Sequence, residues 1–252
     1  VDADMATFRP PPLPQAADPS ALCAVRAVLA QLIGALRAQP RGGSVLDLGG
    51  LDAATLTLLD QTLGEGEVSA IVRAPCAMRI QETAFAGIWR VRAEAAEGAP
   101  VERIETGAIP AAVPAAMRAL TACTLPRPPA VEGLMNAQSL LTEIADHAAR
   151  GDGEGHIINL TLLPMTPQDL AWLAAALGEG PVRLLSRGYG NCRITGTRLA
   201  NVWRVQYFNS MDAPILDTVE VTDVPAAALA APEDLADSVG RLEEWLATLE
   251  AL

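Results

Sequence analysis

Leu63–Val91 (LGEGEVSAIVRAPCAMRIQETAFAGIWRV) and Leu177–Val205 (LGEGPVRLLSRGYGNCRITGTRLANVWRV) align without a gap at an offset of 114 residues, with 13 of 29 positions identical. One further residue of shift aligns Ile104–Pro110 (IETGAIP) with Val219–Pro225 (VEVTDVP). Self-similarity at a fixed period means that one supersecondary unit is built twice. Equal apolar patterns must bury equal faces. The Pro-rich stretch Leu125–Gly133 (LPRPPAVEG) reads as the joint between the copies. The sequence therefore divides into a Pro-rich N-terminal segment (1–19), a first, more degenerate repeat (20–124), a linker (125–134) and a second repeat (135–252).

Each copy carries the same coarse layout. A short strand comes first, Ser44–Leu48 in copy one and His156–Leu162 in copy two. A helix follows. In copy two Thr166 is its N-cap, Pro167 takes the first helical position, Asp169 sits in the positive first turn and Gly178 ends it. Val182–Ser186 then reads as a strand, followed by a Gly-rich turn, a long strand over Asn201–Asn209 and a last strand over Asp217–Val221. A helix precedes each copy, Ala21–Arg37 and Ala137–Arg150. A C-terminal helix from Pro232 carries Leu235, Val239, Leu242, Leu246 and Leu249 on one face. The expected class is α+β, with the approximate order α-β-α-β-β-β in each repeat.

Composition excludes several chemistries. Half of the 252 residues are apolar and 19% are charged, so the chain can bury real cores. All 18 basic residues are Arg. Without Lys there is no Walker-type phosphate loop and no Schiff-base chemistry. A net charge of −12 argues against general nucleic-acid binding. No GxSxG, HExxH or strand-following GxGxxG occurs, and the two histidines (His147, His156) give a catalytic triad few ways to form. Cys23, Cys76, Cys123 and Cys192 lie far apart with no CxxC, so reduced, mostly buried thiols are expected and no metal site. No apolar run approaches the roughly 20 residues of a membrane helix, and no secretion signal is visible at the N-terminus. These points lead to the expectation of a cytoplasmic protein with no cofactor, no catalytic residue and no membrane insertion.

The second copy holds the distinctive surface. Gly180–Met211 contains Arg183, Arg187, Arg193, Arg198 and Arg204 with no Asp or Glu, and four of the nine aromatics. Strand alternation places Trp203, Val205 and Tyr207 on one face and Val202, Arg204, Gln206 and Phe208 on the other. The matching Trp89 and Val91 of copy one mark the Trp/Val side as core. The turn RGYGNCR differs from its counterpart RAPCAMR, which lacks both glycines and the Tyr. Gly188 and Gly190 free the backbone for positive φ, and Asn191 tolerates the same region. The frame survives in both copies while the polar and aromatic set occurs in one. The candidate partner-binding residues are therefore Arg187, Gly188, Tyr189, Gly190, Asn191, Arg193, Tyr207 and Asn209.

The stretch from SRGYGNCRI through NVWRVQYFNSMD resembles the signature region of the HyaF/HupH-type hydrogenase expression/formation proteins, accessory factors for nickel–iron hydrogenases. That family has this domain in tandem. The resemblance runs from about Leu46 onward, strong in the second copy and weaker in the first. It implies a non-catalytic, cytoplasmic, chaperone-like role on the iron–sulfur small-subunit precursor before export, alongside a thioredoxin-like accessory protein. Two other readings stand beside it: a metal- or iron–sulfur-handling protein with Cys192 as a ligand, and a small-molecule enzyme using the Gly-rich turn as an anion cradle.

Overall fold

The computed structural model describes residues 11, 18–38, 43–95, 100–120, 125–150, 155–188 and 190–251. Copy one runs α1 (Pro19–Ala38), β1 (Val45–Asp47), α2 (Ala53–Leu63), β2 (Val68–Val72), β3 (Met78–Glu82), β4 (Ile88–Ala93) and β5 (Val101–Thr106). A short helix, α3 (Ala112–Arg118), follows. Copy two runs α4 (Ala137–Arg150), β6 (His156–Asn159), α5 (Pro167–Leu177), β7 (Val182–Ser186), β8 (Asn191–Gly196), β9 (Val202–Phe208) and β10 (Pro214–Val221). A 3-10 turn (Ala226–Ala228) and α6 (Pro232–Glu250) come last.

The α+β class holds, and each copy has one strand more than its sequence pattern suggested. The added strands are β3 and β8. Asn191–Gly196 reads as part of a turn because glycines flank and end it. Yet its side chains alternate: Cys192 and Ile194 are buried while Asn191 and Arg193 are exposed. The strand order is β1-β5-β4-β3-β2 in copy one and β7-β8-β9-β10-β6 in copy two. The pairs β1–β5, β5–β4 and β4–β3 are antiparallel, as are β7–β8, β8–β9, β9–β10 and β10–β6. The described residues form two compact units. One takes those up to Ser69, Cys76–Ala111 and those from Leu229 on, and the other takes Ala70–Pro75 and Ala112–Ala228.

The duplication is visible down to single hydrogen bonds. Trp89 and Trp203 are both fully buried. The Trp89 indole N–H donates to the Gly107 carbonyl at 2.8 Å, and the Trp203 indole to the matching Thr222 carbonyl at 3.1 Å. Thr83 and Thr197 each hold the next bend, accepting from the amides of Phe85 and Leu199. Gly64 and Gly178 end α2 and α5 at φ of 60° and 58°. One offset needs correction. Val45 faces Glu105 across β1–β5, and Ile157 faces Glu220 across β6–β10. Val45 is thus the counterpart of Ile157, whereas extending the 114-residue offset back to β1 would give Asn159. The same shift recurs in the Asx turns that follow, where Asp47 accepts from Gly49 N and Asn159 from Thr161 N. Copy two has two extra residues between its first strand and its helix.

The helix ends confirm the sequence reading of copy two. Thr166 and Asp169 form a reciprocal capping box with Pro167 at the first turn. In copy one the chemistry is exchanged: Asp52 caps α2 and accepts from both the amide and the hydroxyl of Thr55. Asp169 does more than Asp52. Its Oδ1 also accepts from the amides of Met135, Asn136 and Ala137, which open α4. Burial alone would raise its pKa, but the amides of Ala137, Met135 and Thr166 and the Thr166 hydroxyl hold it down at about 2.

Two helix-covered cores result. Val25, Leu29, Leu32 and Leu36 of α1 pack with Leu59 and Leu63 of α2 and with Leu242, Trp245 and Leu249 of α6. Leu140, Leu141 and Ile144 of α4 pack with Trp172, Leu173 and Leu177 of α5 over Ile158, Val202, Val219 and Val221. By length and composition α1 is apolar enough to cross a membrane, contrary to the expectation that no such run exists. Ala, Cys and Gly fill the positions between its larger apolar residues, so no single long run stands out. Seven of its residues are buried among its neighbours.

Candidate partner-binding site

The turns β7–β8 and β9–β10 lie at the same end of copy two, because Asn191 pairs with Phe208 and Ser186 with Cys192. Arg187, Gly190, Asn191, Arg193 and Asn209 are exposed there, and Gly188 and Tyr207 are half-buried. Tyr189 lies outside the described residues. Gly190 adopts φ of 95°, a conformation that requires glycine's freedom. Asn191 does not share that region; it is the first residue of β8.

Arg193 ties the two turns together. Its Nη2 donates to Asp212 Oδ1 at 2.8 Å, and its guanidinium lies 4.2 Å from the centre of the Phe208 ring. The Asn209 side-chain carbonyl accepts from the amides of Met211 and Ala213 at 2.9 and 3.0 Å, so it shapes the β9–β10 turn. Register places Arg193 with Gln206 and Asp217 on one face of the sheet and Tyr207 with Cys192 on the other. The seven described candidates therefore share one end of the sheet, and Arg193 and Tyr207 stand on opposite faces of it.

The basic character of this segment is smaller than its sequence suggests. Arg204 forms a two-pronged pair with Asp217 at 3.0 and 2.6 Å, joined by Gln206 at 3.1 Å. Arg183 pairs with Glu179, and Arg193 with Asp212. All three acids lie just outside Gly180–Met211 in sequence and are brought in by strand pairing and turn geometry. Among the described residues, Arg187 and Arg198 have no carboxylate within ion-pair distance.

Sequence reasoning missed the apolar part of this end. Met211 in the β9–β10 turn, Ile215 at the start of β10 and Leu162 after β6 are 86%, 59% and 80% exposed. The chain after β6 stays beside β10, with Leu160 N donating to Asp217 O and Asp217 N to Thr161 Oγ1. Leu162 then sits in a turn, its amide donating to the Asn159 carbonyl. Met211 and Ile215, large apolar residues between the expected strands, were the available signal; Leu162 fell inside the expected strand His156–Leu162.

The thiols offer little chemistry. Of the three described, Cys192 is buried, Cys76 half-buried and Cys23 exposed, so "mostly buried" does not describe them. Burial pushes the Cys192 thiol up, away from the thiolate that a metal or electrophile needs. Tyr207 beside it is pushed up to about 12, first by burial and then by the Cys192 contact. A second unforeseen grouping joins both histidines of the chain with Glu143. The ligand atoms of Glu143, His147 and His156 all lie within 4.8 Å of one another. The helical i, i+4 spacing of Glu143 and His147 was legible in the sequence; the approach of His156 was not.

Fold and site together define a tandem-duplicated α+β protein whose second copy presents a polar and apolar hairpin end. Residues 23–124 and 134–249 match the family described as "HupH hydrogenase expression protein, C-terminal conserved region". The chain belongs to that family. It is 47% identical over 237 residues to the hydrogenase expression/formation protein HupH of Rhodobacter capsulatus, covering 93% of this chain and 84% of that one. The hydrogenase expression/formation protein HoxQ of Cupriavidus necator is 44% identical over 247 residues, covering 96% and 87%. The hydrogenase-1 operon protein HyaF of Escherichia coli K12 is 37% identical over 220 residues, covering 83% and 76%.

Proposed function

We propose that this chain is a non-catalytic accessory protein of hydrogenase maturation. It acts in the cytoplasm as a chaperone-like factor that holds the iron–sulfur small-subunit precursor before export, with a thioredoxin-like accessory protein as a second partner. The observation that carries the binding reading is the hairpin end of copy two, where Met211, Ile215 and Leu162 stand exposed at the same end of the strands as Arg187, which has no carboxylate within ion-pair distance among the described residues. Large side chains are seldom left in water in such number at one place without a contact to make. Apolar anchors bordered by Arg and polar turn residues have the composition of a protein interface. The names borne by the relatives supply the hydrogenase context.

The test is an affinity capture from hydrogenase-producing cells with the full chain as bait. The small-subunit precursor is expected to co-purify with the natural sequence, and the double variant Arg187→Ala/Tyr189→Ala to capture much less of it while remaining folded. Undiminished capture by that variant refutes the site. Capture of no hydrogenase component by the natural chain refutes the function.

A further inference from the structure

Both histidines of a 252-residue chain meet at one place on copy two, away from the hairpin end described above. Glu143, at the middle of α4, and His147 stand one helical turn apart, and His156 opens β6. Residues i and i+4 project from the same helix face, which gives two of the three ligands a fixed spacing. Helix packing over the sheet brings the third within reach. His156 Nε2 lies 2.8 Å from Glu143 Oε1, and the two imidazole rings are stacked with centroids 3.6 Å apart and planes within 7°.

We propose that Glu143, His147 and His156 bind a borderline divalent transition-metal ion of the zinc, nickel, cobalt or copper class. Three arguments support this site. Two imidazoles and one carboxylate are the donor set that such ions prefer, whereas magnesium and calcium take oxygen ligands. Three protein ligands leave a coordination position for water or an incoming group, as in open zinc sites. The site also sits toward the C-terminal end of α4, whose partial negative charge favours a cation. Only Arg150 in the last turn opposes it on that helix.

The geometry specifies what binding must change. In-plane lone pairs of two parallel rings do not converge on one point, so at least one imidazole has to rotate out of the stack. Both rings are partly exposed, and rotation there disturbs none of the buried residues of α4. Metal binding therefore breaks the stack and the 2.8 Å contact with Glu143 without unfolding the copy. The site departs from the sequence expectation of no metal, which considered only thiol spacing and isolated ligands.

Zinc alone is titrated calorimetrically into the full chain after chelation and desalting. One ion per chain is expected, with binding at least tenfold weaker in His147→Ala and in His156→Ala and reduced by a smaller factor in Glu143→Gln. Cys76→Ser/Cys192→Ser should bind as the natural chain does. Cobalt(II) loading supplies a second readout that needs no variant: its visible spectrum should show nitrogen and oxygen ligation with no thiolate charge-transfer band. Absence of one-to-one binding, retained affinity in a folded His147→Ala/His156→Ala variant, or a thiolate band overturns the proposal. None of these outcomes bears on the capture experiment above, so the two readings stand or fall separately.

Discussion

Replacing Asp169 with Ala should be among the most damaging single changes in copy two. The side chain is fully buried and accepts five hydrogen bonds. Three come from the amides that start α4, and two from the amide and hydroxyl of Thr166 at 3.1 Å each. The substitution thus removes the carboxylate that caps the start of α4 and the Asp169 half of the capping box on α5, at about 1 kcal/mol each. It also leaves buried amides unpaired, at about 1–3 kcal/mol more. The total is about 3–5 kcal/mol. The pH dependence gives an independent measure. A carboxylate held at about 2 in the fold against 3.8 unfolded contributes stability that is fully present above about pH 4 and is lost as pH falls toward 2. That difference corresponds to about 2 kcal/mol, which Asp169→Asn should forfeit at neutral pH. Urea unfolding followed by circular dichroism at pH 7 and across pH 2–5 measures both. A loss below about 1 kcal/mol for Asp169→Ala, or an acid limb unchanged in Asp169→Asn, would refute the reasoning. Asp52→Asn, which caps only its own exposed helix start, is the control and should cost less.

Glu82 should show the opposite sign. Burial raises its pKa to about 7 from 4.5, so the native state binds the extra proton between those values and stability falls as pH rises through that window; Glu82→Gln should flatten the fall in a urea titration series, and an unchanged slope would count against it. Gly180→Ala places a Cβ 2.1 Å from the Thr197 carbonyl oxygen. Backbone must then move, at a cost of about 1–3 kcal/mol, and an unchanged melting temperature would show that the bend is loose. Trp89→Ala and Trp203→Ala each vacate a fully buried site with one indole hydrogen bond and should cost similar amounts, about 3–5 kcal/mol. Unequal losses in chemical denaturation would mean that the copies are not energetically alike.

Much of the frame was legible because it rests on local chemistry that repeats. The alignment at one offset placed Trp89 and Trp203 in equivalent cores, and both are fully buried. The Thr166–Pro167–Asp169 opening and the Gly178 ending of α5 follow from side chains that satisfy their own helix terminus. The alternation of Val202–Phe208 sorted its side chains into two sets, but not the layer each meets: Trp203 and Val205 are buried on one side while Val202, on the other, packs under α4 and α5. β8 was hidden for a local reason as well: the glycines around Cys192 and Ile194 drew its residues into the turn.

Pairing across the chain lay beyond that reach. A run of five arginines without an acid looks basic, yet Arg183, Arg193 and Arg204 meet Glu179, Asp212 and Asp217 from beyond its ends. The counterpart of Val45 is set by cross-strand hydrogen bonds, which show a two-residue insertion that aligned apolar patterns cannot place. The meeting of His147 and His156 depends on where a helix comes to rest over a strand, and nothing in their spacing announces it. The sequence determined the duplicated unit, its helix ends and its buried faces, because those follow from propensity and periodicity within a few residues. The tertiary structure decided which charges are neutralised, which apolar residues stay in water and which side chains could share an ion, because those depend on distances between residues that the chain order leaves free.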